Sequence, residues 1–268
     1  MKILKLGQML GGSNAPSGAA ADLNFTFSVN TATAGSTSST QFQIPFIATG
    51  FTTVDVDWGD GNTDTITTWN QAETLHTYSA SGIYTIKIAN VVNAFQFGGG
   101  GDKDKLNVVS NCGQLNLNTA LAFNGCSNMT WTATDAPTIS STSLSGTFRE
   151  CTAFDGNINN WDVSGVTNFF AFLYLANSFT GALDNWDIGS VTNFGFFGQG
   201  TTPGTGIRMT TANYDALLVS WEGQSPNSGL TVSFGESEYS LGSAAETARA
   251  SLMSASTYGW TLTDGGGI

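Results

Sequence analysis

The sequence predicts a mainly β protein: a β-sandwich, then a short solenoid of stacked repeats, then a small α/β cap. Three observations carry this reading. Apolar and polar residues alternate in short runs between Leu23 and Ile88, which is the pattern of half-buried strands. Between about residues 106 and 200 the chain repeats itself every 25 residues. Beyond residue 201 the apolar spacing turns helical twice, with short strand-like runs between.

Composition narrows the functional classes. The 268 residues amount to about two domains at roughly 150 residues each. Eight basic against 20 acidic residues leave a net charge of −12. Arg149 is the single Lys or Arg between Lys105 and Arg208. Phosphate binding needs Lys and Arg, so the acidic balance argues against a nucleic-acid partner. Charged residues make up 10% of the chain, against about 25% in ordinary soluble proteins. A 40% hydrophobic share with 18 Phe and 7 Trp excludes disorder. Low charge with abundant Ser, Thr, Asn and Gly is the composition of a surface or virion β protein.

Residues 1–22 read as an N-terminal attachment arm. The apolar run at the start is broken by Lys5, Gly7 and Gln8, so it lacks the continuous stretch and cleavage site of a secretory leader. No apolar stretch reaches the roughly 20 residues of a membrane span. Ile3, Leu4, Leu6, Met9 and Leu10, with Lys2 and Lys5, form an apolar and basic tip on an acidic chain. These five apolar residues are the expected partner-binding residues. Gly11–Asp22 is then the tether behind them. The alternative is a terminus that merely frays.

The sandwich is expected over residues 23–90. Phe25, Phe27 and Val29 alternate with polar residues, as do Phe42, Ile44 and Phe46. Val54, Val56 and Trp58 share one strand face, with Asp55 and Asp57 on the other. Gly59-Asp60-Gly61-Asn62 supplies a hairpin turn, and Thr63–Thr68 runs back from it. His76-Thr77-Tyr78 and Tyr84–Ile88 supply the last strands. The run Val56-Asp57-Trp58-Gly59-Asp60-Gly61, then His76-Thr77-Tyr78, then Gly82-Ile83-Tyr84-Thr85-Ile86, resembles the PKD family of immunoglobulin-like domains. That resemblance implies a seven-strand sandwich used as a spacer or interaction module without catalysis. Asp55, Asp57, Asp60 and Asp64 invite a calcium reading. An EF-hand loop starting at Asp55 needs Gly at its sixth position, where Asp60 stands, so strand-face and turn roles are the better account. His76 is read as structural.

Residues 91–105, with Gly98–Gly101, are expected to be a flexible hinge. The glycine run lacks the GxxxxGK[ST] spacing of a phosphate loop. The repeat solenoid follows over 106–200. An offset of 25 aligns Asn160-Trp161-Asp162 with Asn185-Trp186-Asp187, and Val166-Thr167-Asn168-Phe169 with Val191-Thr192-Asn193-Phe194. One period earlier Phe123 meets Phe148, Cys126 meets Cys151 and Met129 meets Phe154. Copies therefore start near 123, 148 and 173, with a degenerate one over Lys105–Leu121. Such a period, with apolar positions and Asn, is that of leucine-rich-like solenoids. Each unit buries its apolar face only by stacking on neighbours. Asn168 and Asn193 are expected to bond turn backbone. The three cysteines, Cys112, Cys126 and Cys151, read as small buried hydrophobes, neither a disulfide framework nor a zinc site. Phe123-Asn124-Gly125-Cys126-Ser127-Asn128-Met129, Thr134-Asp135-Ala136-Pro137 and Trp161–Phe169 resemble the BspA-like surface-protein repeats. Gly101-Asp102-Lys103-Asp104-Lys105-Leu106 is similar to that family's junction after a PKD-like domain.

The cap is expected over 201–268. Tyr214, Leu217, Leu218 and Trp221 fall on one helix face. Leu230–Phe234 reads as a strand, and Ser243-Ala244-Ala245-Glu246 opens a second helix running to about Ala255. Trp260–Thr263 is the last strand. An atypical terminal unit of this kind shields the open end of a solenoid.

Together these features lead to a non-enzymatic structural or recognition protein of a virion surface: a head or tail fibre or a capsid decoration. The arm would dock on other virion proteins, and the outer modules would meet a host-surface glycan or protein. No cofactor is expected, and a homo-oligomer is compatible with this reading. The alternative is a bacterial cell-surface adhesin of the BspA-like type. A glycan-active enzyme would need paired carboxylates. Asp162 and Asp187 recur once per repeat, which marks them as repeat structure.

Overall fold

A computed structural model describes residues 22–202 and 205–268. The chain is mainly β. Strands β1 (Phe25–Asn30), β2 (Gln41–Gln43), β3 (Val54–Asp57), β4 (Thr63–Ile66), β5 (Leu75–Thr77) and β6 (Ile83–Ala89) come first. Then follow β7 (Leu106–Asn111), β8 (Asn116–Leu117), β9 (Thr130–Trp131) and β10 (Thr138–Ile139). Helix α1 (Thr211–Gly223) precedes β11 (Thr231–Ser233) and β12 (Glu238–Tyr239). Helix α2 (Ala244–Met253) precedes β13 (Thr261–Thr263) and β14 (Gly266–Gly267).

Six strands, not seven, form within residues 23–90. Strands β4, β3, β6 and β1 pair antiparallel in that order, and β2 pairs with β5 as a second layer. Alternation is obeyed: Val54 and Val56 are buried while Asp55 and Asp57 are exposed. Trp58 is fully buried, and its indole N–H donates to the Asp64 carboxylate at 2.8 Å. Gly59 turns at φ +78°, and a Cβ there would run into the Thr85 carbonyl, so glycine is required.

The large sheet does not stop at residue 90. Strand β7 pairs antiparallel with β1, and β9 pairs parallel with β7, giving the order β4-β3-β6-β1-β7-β9. The expectation of a hinge over 91–105 is corrected here. Val92, Ala94, Phe95, Phe97, Asp102 and Lys105 are all buried, and Phe95 packs edge-on to Phe25 at 5.2 Å. The glycines serve geometry and not mobility: Gly98, Gly99 and Gly101 have φ of +59°, +83° and +62°. The Lys105 ammonium is enclosed by oxygens of the loop before β2. It donates to Thr37 Oγ1 and the Ser38 carbonyl at 2.7 Å and to the Gln41 carbonyl at 2.8 Å, and pairs with Asp102 at 3.6 Å. Asp102 in turn accepts from the backbone N–H of Thr37 and Gln43. Lys103 and Asp104 reach the other way: Lys103 donates to the Gly125 carbonyl and Asp104 accepts from Ser127. The segment is a rivet between the first six strands and the repeats.

Beyond it, 25-residue units lie side by side in parallel. Backbone N–H groups of Leu121, Gly146 and Ala171 donate to the carbonyls of Ser145, Phe170 and Gly195 in the next unit. Those of Phe123, Phe148 and Leu173 donate to Thr147, Phe172 and Phe197. A left-handed residue recurs in step, at Leu121, Gly146, Ala171 and Phe196. A second recurs four residues later, at Gly125, Glu150 and Leu175. Ala94 and Gly98 show the same pairing, so the degenerate first unit begins inside the segment expected as the hinge.

Side chains stack with this register. The rings of Phe123 and Phe148, Phe154 and Phe179, Phe169 and Phe194, and Phe172 and Phe197 lie 5.6, 5.9, 5.6 and 5.8 Å apart. Their planes are within 13° of parallel. Each fully buried Phe contributes about 1.5–3 kcal/mol by leaving water. Asn168 and Asn193 accept from the N–H two residues on, at 3.0 and 2.9 Å, closing the same turn twice.

The C-terminal segment continues the stack with other elements. Phe194 bridges in parallel to Val232 of β11, and β11 pairs parallel with β13. Trp221 of α1 stacks on Phe194 at 5.2 Å. Ser243 caps α2 by accepting from Ala245 and Glu246, while Glu246 reaches back to the Gly242 N–H. That helix ends at Met253, two residues before the expected Ala255. One hydrophobic cluster runs from Phe25 to Leu262, so the three regions share a single core.

Candidate functional site

The expected partner-binding residues Ile3, Leu4, Leu6, Met9 and Leu10 lie outside the described residues. The chain enters the described body beside the first unit, where the Asp22 carbonyl accepts from Asn111 and the Leu23 carbonyl from Gln114.

The residues weighed for metal or catalysis each have a separate structural task. Asp55 accepts from Thr65 and Asn90, Asp57 from the Gly59 N–H, and Asp64 from Trp58. Asp60 pairs with His76 at 2.9 Å, and His76 stacks flat on Trp58 at 4.6 Å. Partial burial pulls the Asp60 carboxyl up, but hydrogen bonds from His76 and Asn62 outweigh it and hold it below its ordinary value. Asp162 and Asp187 cap equivalent turns, accepting from Ser164 and Gly189. Among the described residues no three His, Cys, Asp or Glu side chains converge as a metal site. No helix among them is long and apolar enough to cross a membrane.

All three cysteines are free and buried. Burial pushes the Cys151 thiol up to about 12, and it likewise pushes Cys112 and Cys126 up. The Cys151 thiol donates to the Phe123 carbonyl of the preceding unit at 3.0 Å.

One surface feature is not used by the fold. Phe170 and Phe196 sit on adjacent units with 38% and 48% of their surface in water. Their rings meet edge to face at 5.4 Å, and Tyr174 meets Phe196 edge to face at 6.2 Å. The Arg149 guanidinium lies over the Tyr174 ring at 5.5 Å and pairs with Glu150. Arg149, Phe170, Ala171, Tyr174 and Phe196 line a recess of about 200 Å³. Three residues of the patch are non-glycine in the left-handed region: Glu150 at φ +62°, Ala171 at +53° and Phe196 at +58°. These are the left-handed positions that recur from unit to unit, and a non-glycine residue there costs roughly 1–2 kcal/mol. The sequence reading missed this patch. Its signal was the doubled rings Phe169-Phe170 and Phe196-Phe197: the repeat register buries Phe169 and Phe197, which leaves the other ring of each pair in water.

Comparison with known families adds one result. The family described as "Mycoplasma protein of unknown function, DUF285" matches residues 117–202. Those residues hold the stacked units and the whole aromatic patch. No curated protein and no solved structure matches the chain.

Proposed function

We propose that this chain is a non-catalytic structural and recognition module of a virion surface, a head or tail fibre or a capsid decoration. Its first region is read as a PKD-like sandwich, its stacked units as a short leucine-rich-like solenoid of the BspA-like kind, and its C-terminal segment as the cap. Residues 1–22 attach it to a neighbouring virion protein, and the repeats face outward. The observation that carries this reading is the single core through all three regions, riveted by Lys105 and Asp102. Such a body holds an outward face at a fixed angle to its anchor. The aromatic patch spans the third to fifth units, counting from Ala94. It therefore lies roughly 10–19 Å along the stack from the point where the arm enters, at about 4.8 Å per unit. Attachment and recognition then use separate surfaces. A bacterial cell-surface adhesin is the second reading, supported by the resemblance of the repeats.

The test is incorporation. Full-length protein and a variant lacking residues 1–22 are expressed beside the particle genes, and purified particles are probed for each. The full-length chain is expected on particles and the truncated one absent, with both folded alike by circular dichroism. Truncated protein that still decorates particles overturns the role of the arm. Full-length protein found on the cell envelope and not on particles favours the adhesin.

A further inference from the structure

We propose that the recess formed by Phe170, Tyr174 and Phe196, with Arg149 and Glu150 at its rim, binds one ring of a neutral saccharide. This rests on the reading of the chain as a recognition module, and it adds the site and the ligand class.

The first argument is cost without structural return. Phe196 occupies the left-handed position that earlier units fill with Leu121, Gly146 and Ala171. It is nearly half exposed, so the backbone strain is not repaid by burial. Phe170 stands where the preceding unit has Ser145, and it too is exposed. Two units thus carry exposed rings at positions where another unit folds with Gly or Ser.

The second argument is chemical complementarity. A pyranose presents C–H groups on its faces and hydroxyls on its edge. Aromatic rings suit the first, and paired donors and acceptors suit the second. Phe170 and Tyr174 both stand edge to face with Phe196, so ring surface of more than one orientation lines the recess. At the rim, Nε and Nη2 of Arg149 approach the same Glu150 oxygen, Oε1, each at 3.1 Å. The remaining Arg149 N–H groups and Glu150 Oε2 have no hydrogen-bond partner among the described residues. Both side chains are partly exposed, at 43% and 45%. The rim therefore offers both donors and an acceptor with no net charge. A carboxylate ligand would compete with Glu150 for Arg149, and an ammonium would face the guanidinium. A purely apolar side chain would strip water from the ion pair and return no hydrogen bond. A neutral polyol ring meets none of these penalties, and a recess of about 200 Å³ gives room for one.

The experiment uses the full chain and saturation-transfer NMR. The probes are methyl β-glucopyranoside, methyl β-galactopyranoside and N-acetylglucosamine at millimolar concentration, with glucuronic acid as the charged comparison. Transfer to ring C–H protons of at least one neutral probe is expected. It should weaken by about tenfold or more in Phe196→Gly and in Phe170→Ser, the loss of one aromatic contact. Both variants place a residue that another unit already holds, so both should fold, and melting curves verify it. No transfer from any neutral probe, or transfer unchanged in folded Phe196→Gly, overturns the proposal. So does binding of glucuronic acid alone. A dimer of the native chain that Phe196→Gly converts to monomer in sedimentation overturns it in favour of self-association. Particle incorporation is scored on the same variants. Native protein that joins particles but binds no sugar sinks this inference and leaves the recognition reading standing. Sugar binding by protein that never joins particles does the reverse.

Discussion

The indole N–H of Trp221 donates to the Leu183 carbonyl at 3.0 Å, one repeat period along from the bond in which Trp186 donates to the Ile158 carbonyl at 2.8 Å. Trp186 belongs to a repeat unit, whereas Trp221 belongs to helix α1. The helix thus supplies the ring and the donor that a further unit would have supplied. Placed so, the helix covers the apolar layer of Phe194 and Phe197 and keeps it from water.

That relationship sets up a graded series. Trp221→Phe and Trp186→Phe keep an aromatic ring but remove the indole bond, leaving the Leu183 and Ile158 carbonyls with the backbone N–H of Trp186 and Trp161 alone, which costs about 0.5–1.5 kcal/mol. Trp161 is equally buried, but its indole N–H has no partner. Trp161→Phe is expected to cost less than either, because it also removes an unsatisfied donor. Urea unfolding of the three variants gives the order. A Trp161→Phe cost equal to the others would show that ring volume alone decides.

The recurring left-handed position allows a swap between units. Ala171→Gly relieves a strained φ of +53° and should be neutral or stabilising by about 0.5–1 kcal/mol. Gly146→Ala does the opposite: its Cβ would lie 2.5 Å from Leu121 Cδ2, at a φ of +60°. Thermal melting should move up or stay level in the first and fall in the second. Equal shifts in the same direction would contradict the shared role of the two positions.

Much of this architecture was legible in sequence, and the reasons differ by feature. Strand alternation around Phe25–Val29 and Val54–Trp58 is a local signal, and the 25-residue register is written into Trp161 and Trp186. The hinge expectation failed because a glycine run looks the same in a mobile linker and in a backbone that holds three of its four residues, Gly98, Gly99 and Gly101, at positive φ. Nothing local in the sequence marks Lys105 as buried, since the oxygens that surround it lie on residues 37–41, far back in the chain. The patch was hidden because a repeat pattern advertises its shared core positions, whereas Phe170 and Phe196 are where one unit departs from another.

Acid should act on the first six strands through Asp60. Its carboxyl is held below the ordinary 3.8 by the His76 and Asn62 hydrogen bonds, against the pull of burial. A carboxylate depressed in the folded state contributes stability that is fully present above its unfolded value. That stability fades as pH falls below 3.8 toward the folded value. Asp60→Asn is therefore expected to flatten the fall in melting temperature over the acid range below about pH 4. Native and variant curves that run parallel there would show that other carboxylates govern acid unfolding.

The rivet between the first six strands and the repeats offers the sharpest test of the shared core. Lys105 and Asp102 are both fully enclosed, and each is tied to the loop that precedes β2. Lys105→Met removes the cation and its bonds to the Ser38 and Gln41 carbonyls, and leaves Asp102 without its counter-charge. Breaking one side of a buried pair costs about 3–5 kcal/mol. The loss should also change where the chain opens. In the native protein Gly98–Gly101 is expected to resist limited proteolysis, because the flanking Phe97 and Lys105 are packed. In Lys105→Met, cleavage should appear within residues 33–43 and 98–105 together, since one contact holds both. A double variant, Lys105→Met with Asp102→Asn, should cost less than the sum of the two single changes if the residues act as a pair. Cleavage of the native chain at Gly98–Gly101 under the same conditions would restore the hinge and separate the core into two.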